Sequence, residues 1–390
     1  MTVCDLSPFY CEKGGGIRTY HRARIDWFSR QNAHRYLLIA PGPRTRVSAP
    51  APSVQLLQVY GPRLTRDSER YRLLLDYRAV RTAIIHAQPD VLEVHDPWFS
   101  AGFGLLLRHR GAFRGVLSCF CHSDPVTTYV QPRLARWLGP GHAAAKLTAL
   151  AHDGFRVLQK GFDATCVASD DLGDRLRRTG VSNVVKVGFG LDPAFLDVWR
   201  PRSVLARRFL YAGRLDDDKE FALVLNVLPE LLRRPGVTVT IIGVGAHETR
   251  VARLAHPRLH YRGFVADVAS MRAAYASHDV LLAPGRFETF GMAALEAAAA
   301  GLVVVGPDQG GTGELLRQMA SPLMFPAGDR RMFLDRIEMT LEGPLGDLVD
   351  RGRALARGYG TWNEAVARHI AIYESMLGVY GDREAHRLLA

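Results

Sequence analysis

The sequence predicts an α/β protein made of two parallel-sheet domains. Three observations lead there. Short apolar runs of strand length alternate with helix-length stretches along the chain, the pattern of parallel strands joined by crossover helices. The pattern breaks near Leu191 to Arg208, where Pro193, Pro201 and several arginines intervene, and restarts with Phe209-Leu210-Tyr211-Ala212. A chain of 390 residues is also long enough for two domains, each with its own core.

The elements follow in order. A short first strand is expected over residues 2–6, then Gly14-Gly15-Gly16 and a helix from near Arg18. The other apolar runs of the first half, at 36–40, 54–59, 91–95, 116–121, 165–168 and 184–187, read as strands. Helical stretches such as 67–87 and 142–160 separate them. The second half has strand-like runs at 209–212, 237–242, 259–261, 280–283, 302–305 and 323–325. Pro284 and Gly285 end the fourth of these. An Ala-rich helix then starts near Gly291 and stops at Gly301, a glycine suited to a helix C-terminus. The last helical stretch, 362–377, places Trp362, Val366, Ile370 and Tyr373 on one face.

Composition narrows the function classes. Hydrophobic content of 47% and charge of 23% are ordinary for a globular protein. No stretch approaches the roughly 18 apolar residues of a membrane span, and the N-terminus lacks a signal-peptide pattern. The expected address is cytoplasmic, with peripheral contact at the inner membrane face left open. Cys4, Cys11, Cys119, Cys121 and Cys166 form no disulfide framework. Cys119-Phe120-Cys121-His122 is spaced too tightly for the usual zinc pattern. The net charge of +11, nearly all arginine, suits polyanionic ligands or an anionic surface. Two basic stretches stand out: Arg63, Arg66, Arg70, Arg72, Arg78 and Arg81, and Arg133, Arg136, Trp137, Lys146, Arg156 and Lys160. They fit an anionic membrane as well as a solvated helix face. Nothing resembling a zinc finger or an RNP motif points to nucleic acid.

The chemistry concentrates in Glu288-Thr289-Phe290-Gly291-Met292-Ala293-Ala294-Leu295-Glu296. The run follows a strand and opens a helix, so it sits at the carboxyl edge of a sheet, where open α/β sheets bind ligands. Glu288 falls in the loop and Glu296 inside the helix. An ionised carboxylate accepts hydrogen bonds only and suits a vicinal diol. The amides near Phe290 and Gly291 lack intrahelical partners and suit sugar or phosphate oxygens. Gly291 has no side chain to hold a ligand off the backbone. Upstream, Gly213-Arg214-Leu215-Asp216-Asp217-Asp218-Lys219 follows the strand at 209–212. There an Arg fork and a Lys point charge can face a diphosphate. Asp216-Asp217-Asp218 also contains D-x-D, whose hard oxygens suit Mg²⁺ or Mn²⁺. A cation pair at the diphosphate makes that metal unnecessary, and metal independence is the favoured reading.

On these residues the chain resembles the family 4 glycosyltransferases of the GT-B fold. The motif E-x-F-G-x4-E, followed by a strand and Gly310-Gly311-Thr312-Gly313-Glu314-Leu315, looks like that family's signature. The resemblance implies two Rossmann-like domains facing a cleft, with a C-terminal helix crossing back to the first domain. The expected boundaries are 1–195 plus 372–390 for an acceptor-binding domain and 203–371 for a nucleotide-sugar-binding domain. Carried over residue by residue, it assigns Arg214 and Lys219 to the diphosphate, in a G-R-x-x-x-x-K-G pattern where Glu220 replaces the family's glycine. It assigns Glu288 and the Phe290 and Gly291 amides to the donor sugar and Glu296 to the ribose. His122 faces the donor sugar, and a Gly-rich loop at Gly15 and Gly16, with Gly213, meets the diphosphate. His95 reads as structural.

The expected activity is therefore retaining, metal-independent transfer of a hexose from a UDP- or GDP-linked sugar to a glycan, lipid or small-molecule acceptor, without a cofactor. His122, Arg214, Lys219 and Glu288 are the expected catalytic residues. A nucleotide-sugar 2-epimerase of the same fold and a catalytically inactive nucleotide-sugar-binding protein are the alternatives. A nicotinamide oxidoreductase is disfavoured, because Gly14-Gly15-Gly16 is not G-x-G-x-x-G.

Overall fold

The computed structural model describes residues 1–11, 14–63, 72–139, 141–198 and 205–388. Two units divide the chain: Met1–Ala168, Gly173–Gly188 and Asn363–Ala390 in the first, Ser169–Leu172 and Phe189–Trp362 in the second.

Among the described residues the first unit carries eight strands: β1 (Thr2–Leu6), β2 (Arg35–Gly42), β3 (Arg46–Ala51), β4 (Val54–Tyr60), β5 (Val91–Val94), β6 (Val116–Phe120), β7 (Ala164–Val167) and β8 (Val184–Lys186). Their order is β3-β4-β2-β1-β5-β6-β7-β8. All neighbours pair in parallel except β3 with β4. The central strands β1, β5, β6 and β7 are buried almost throughout, so they read as continuous apolar runs. The β3 strand is an antiparallel addition at the sheet edge, and its sequence RVSAPA is mostly exposed.

The helix expected over 67–87 is shorter. Residues 67–71, like Arg66 and Arg70, lie outside the described residues. The observed helix is Tyr77–Ala87, capped by the Asp76 carboxylate, which accepts from the Ala79 amide at 2.9 Å. Ahead of it the chain is held extended by an Arg63–Arg72 bridge and a bond from Leu73 N to Pro62 O. The Leu73 amide is thus paired with a neighbouring segment, and the chain runs there as a bridge, not as helix.

The second unit has β9 (Arg208–Ala212), β10 (Thr238–Ile242), β11 (Leu259–Tyr261), β12 (Val280–Leu282), β13 (Val303–Pro307) and β14 (Met324–Phe325). All pair in parallel, in the order β11-β10-β9-β12-β13-β14. Strand order reverses between β9 and β12, which lie side by side. The crevice beyond their carboxyl ends is where doubly wound sheets bind ligands. Beneath it lies a core of Phe209, Val239, Ile241, Val280, Val305 and Phe221, none more than 1% exposed.

The helix Trp362–Leu388 starts at the end of the second unit and, from Asn363 on, belongs to the first. Its inward residues are those the periodicity marks: Val366, Ile370 and Tyr373 are buried. Tyr373 donates to Glu93 on β5.

Candidate active site

The loops after β9 and β12 meet at the reversal point. Gly213, Lys219, Glu288 and Gly291 line one concavity there, with Tyr211 and Thr312. The Lys219 ammonium lies 2.7 Å from Glu288 Oε1, and both side chains are partly exposed. Arg214, Phe290 and Glu296 do not line this concavity but flank it in sequence.

Arg214 Nη1 donates to Asp216 Oδ2 at 2.7 Å, and its other nitrogen pairs with Asp218. The two outer aspartates of the triplet converge on a cation of the protein itself, and the middle one points away. Asp216 Oδ1 accepts from Ala246 N at 2.7 Å, and Asp217 pairs with His247 at 2.8 Å. Asp216 and Asp218 thus share the Arg214 guanidinium, while Asp217 faces His247. Gly243 is fixed by packing: its φ is +133°, and a Cβ there would come 1.8 Å from Gly213 O.

Gly291 needs its glycine for two reasons besides ligand approach. Its φ of +82° lies in the left-handed region, and a Cβ would come 3.0 Å from Thr312 N. It caps the helix Met292–Ala299. The Phe290 ring is buried, 5.1 Å from Phe189 and 5.5 Å from Tyr359 between centroids, and so anchors the loop by packing. Gly310-Gly311 forms a floor under the same loop. Gly311 N donates to Glu288 O at 2.6 Å, and a Cβ on Gly311 would sit 2.4 Å from the Phe290 backbone. Close approach explains the glycine pair.

Glu296 accepts a bond from Tyr275 OH at 3.1 Å. Burial raises its pKa to about 7, opposed by the Tyr275 bond and helped by nearby Asp192. Sequence reasoning missed this shift, because the burial that drives it is set by the fold and not by the neighbouring residues in sequence.

Sequence reasoning also left Glu220 unresolved. Its backbone takes φ +49° and ψ +34°, the left-handed conformation that glycine favours. Its carboxylate accepts from Arg286 N at 2.9 Å and Arg286 Nε at 2.7 Å, and also pairs with Arg286 Nη2. The glycine-favoured geometry is kept and a side-chain fork is added.

In the first unit, Gly15 and Gly16 open the helix Gly16–Phe28, and among the described residues a Cβ at either would meet nothing within 4 Å. Packing does not demand glycine there. His122 follows β6. Its Nε2 lies 2.9 Å from His95 Nδ1, and its ring stacks on Phe120 at 4.5 Å. The functional and structural histidines of the sequence reading are thus a hydrogen-bonded pair. Burial, with His95 and His21 beside it, holds His122 well below the usual histidine range. It is therefore a neutral imidazole near pH 7, able to exchange hydrogen bonds but not to offer a positive charge.

Behind this pair lies a buried polar nest. Asp5, His21 and His95 converge, as do Glu93, Cys166 and His369, with spacing that would suit a metal. The Arg24 guanidinium already sits among them, 3.4 Å from Asp5 and 3.1 Å from Glu93. A fixed cation between two carboxylates leaves little electrostatic reason for a second.

Comparison with known proteins identifies the family. Residues 206–343 match the family described as glycosyl transferases group 1. The chain is 30% identical over 396 residues to the phosphatidyl-myo-inositol mannosyltransferase of Mycobacterium tuberculosis, covering 97% of this chain and 98% of that one. It is 28% identical over 328 residues to the GDP-mannose-dependent alpha-(1-6)-phosphatidylinositol dimannoside mannosyltransferase of the same organism, 78% and 79% of the two chains. Among solved structures, sucrose-phosphate synthase from Thermosynechococcus elongatus superposes with a TM-score of 0.76 at 16% identity, covering 97% of this chain and all of that one. The chain belongs to the group 1 glycosyltransferases of the GT-B fold and is an enzyme acting on nucleotide sugars.

Proposed function

We propose that the protein transfers a hexose with retention, without a metal, from a nucleotide-diphosphate sugar to a glycan, lipid or small-molecule acceptor. The names of the mannosyltransferase relatives favour mannose from GDP-mannose and a phosphoinositide-type lipid acceptor. The observation that carries the reading is the Lys219–Glu288 contact at the reversal point of the second sheet, beside Gly213 and Gly291. In this reading Arg214 and Lys219 stabilise the departing diphosphate, a transition-state electrostatic effect. Glu288 and the amides at Phe290 and Gly291 orient the sugar, and Glu296 holds the ribose diol. His122 serves the sugar through hydrogen bonds. The leaving phosphate takes the acceptor proton. Gly15 and Gly16 give a diphosphate or acceptor open access to backbone amides at a helix N-terminus. Two fixed cations make a divalent ion dispensable.

Peripheral contact with an anionic membrane is part of the proposal. The helix Gln131–Leu138 has no buried residue, and its Trp137 is 88% exposed beside Arg133 and Arg136.

The test is a thermal-shift screen with GDP, UDP and ADP and their sugars, followed by product analysis with the best donor. Transfer with retained configuration, persisting in EDTA, is expected with GDP-mannose. Lys219→Ala should lower kcat by roughly 100- to 1000-fold, and Glu296→Ala should mainly raise the donor KM. Wild-type turnover by both variants at saturating and limiting donor would refute the site assignment. Isomerised donor without acceptor would identify the 2-epimerase, and nucleotide binding without turnover an inactive binder.

A further inference from the structure

The geometry points to Glu220 and Arg286 as a positioning pair that sets the register between the diphosphate loop and the sugar loop. Glu220 is the residue after Lys219, and Arg286 lies two before Glu288. Consecutive residues of one loop therefore grip two positions of the other. Lys219 holds Glu288 at 2.7 Å, and Glu220 holds both the backbone amide and the guanidinium of Arg286.

The two grips differ in kind. Lys219 and Glu288 line the open concavity, so an arriving donor competes for both groups. The Glu220 side chain is only 12% exposed and does not line it. Its carboxylate takes a planar fork plus a backbone N–H, a geometry that fixes direction as well as distance. It therefore stays in place while the first grip opens.

The surroundings leave Arg286 little freedom. A Cβ on Gly310 would come 2.6 Å from Arg286 O, and one on Gly328 would come 2.2 Å from Arg286 Nη2. A Cβ on Gly285 would come 3.2 Å from Lys219 O, so the two loops already run in close contact. A non-glycine residue in the left-handed region is disfavoured unless its surroundings hold it there. The Arg286 fork provides that hold. Glu220 thus accepts an unfavourable backbone conformation and gains a rigid tie across the site.

The role rests on the glycosyltransferase reading, since what the pair positions is Glu288 for the sugar and Lys219 for the diphosphate. Misplacing one relative to the other should lower the chemical step more than donor binding.

The test compares Glu220→Gly, Arg286→Lys and the double variant. Glu220→Gly restores a residue that suits the backbone, and Arg286→Lys keeps the charge but loses the fork. Each single variant should lower kcat about tenfold, with donor KM changed less than threefold. The double variant should be no worse than the poorer single, because the residues act as a unit. Hydrogen exchange at the amides of 285–291 should quicken in both singles. Unchanged kcat in both singles, multiplying losses in the double, or unchanged exchange would each overturn the pair. If the wild-type protein turns over no nucleotide sugar, the function reading fails and takes the positioning role with it. The exchange measurement then still shows whether the tie holds the loop.

Discussion

Glu296 is a carboxyl whose surroundings favour its neutral form. Burial moves its pKa up to about 7. A ribose diol offers donors, so the proposed role needs the ionised form. Donor binding should therefore release a proton. The sign follows: affinity rises with pH and falls by up to tenfold per unit below about pH 7. An intact nucleotide sugar is the proper probe, because its diphosphate carries no titrating terminal oxygen near neutrality. Calorimetry between about pH 6 and 8 should show the rise in wild type and a flat profile in Glu296→Gln. A flat wild-type profile would mean the carboxyl does not change state on binding. The stability effect has the opposite sense. A carboxyl raised in the fold favours the folded state below its unfolded pKa, and that contribution is lost as pH climbs through about 7.

At the level of the element, the loop from Gly285 to Gly291 is shaped by what lies beneath it. Gly311→Ala should force the loop upward, since the added Cβ would lie 2.4 Å from the Phe290 backbone. Overpacking of this kind costs about 1–3 kcal/mol, or a drop in Tm of about 2–4 °C per kcal/mol for a domain of this size. A thermal melt showing no loss would mean the loop yields without cost. The two glutamates, Phe290 and the glycines were legible because they lie in one short segment. Their reasons were less so. The Gly310-Gly311 floor is a contact between segments about twenty residues apart, which adjacency in sequence does not reveal. The pairing of His122 with His95 needed the neighbouring strands β5 and β6 to be known as neighbours. Strand β3 was not anticipated, because RVSAPA has neither a clean two-residue alternation nor freedom from proline. The false start of the helix before Tyr77 has the same origin: tertiary bonds to Pro62 and Arg63 override local helical preference.

For the whole molecule, alternating strands and helices carried the α/β class, and the restart at Phe209 carried the second sheet. The destination of the last helix came from family resemblance, and its partners Glu93 and Tyr20 lie at the other end of the sequence. No described helix is long and apolar enough to cross a membrane. Trp137, Leu138 and Leu150 stand exposed among Arg133, Arg136 and Lys146. The protein should cosediment with phosphatidylserine vesicles, less with phosphatidylcholine ones, and less as salt rises. Trp137→Ala should weaken the binding without lowering turnover of a water-soluble acceptor. Equal sedimentation with both vesicle types would remove the electrostatic part of this contact.

The cations of the second unit do not wait bare. Arg214 is engaged by Asp216 and Asp218, and Lys219 by Glu288. In the proposed function, a diphosphate entering there would perform an ion exchange, substituting for carboxylates already in place. The enthalpy of the new contacts would then be offset by that of the contacts it dissolves, giving modest affinity with tight alignment. On the same reading, product nucleotide would meet the same competition, the internal carboxylates reclaiming their cations as it leaves. A site of that kind would carry its own displacing ion, favouring turnover over retention of the spent nucleotide.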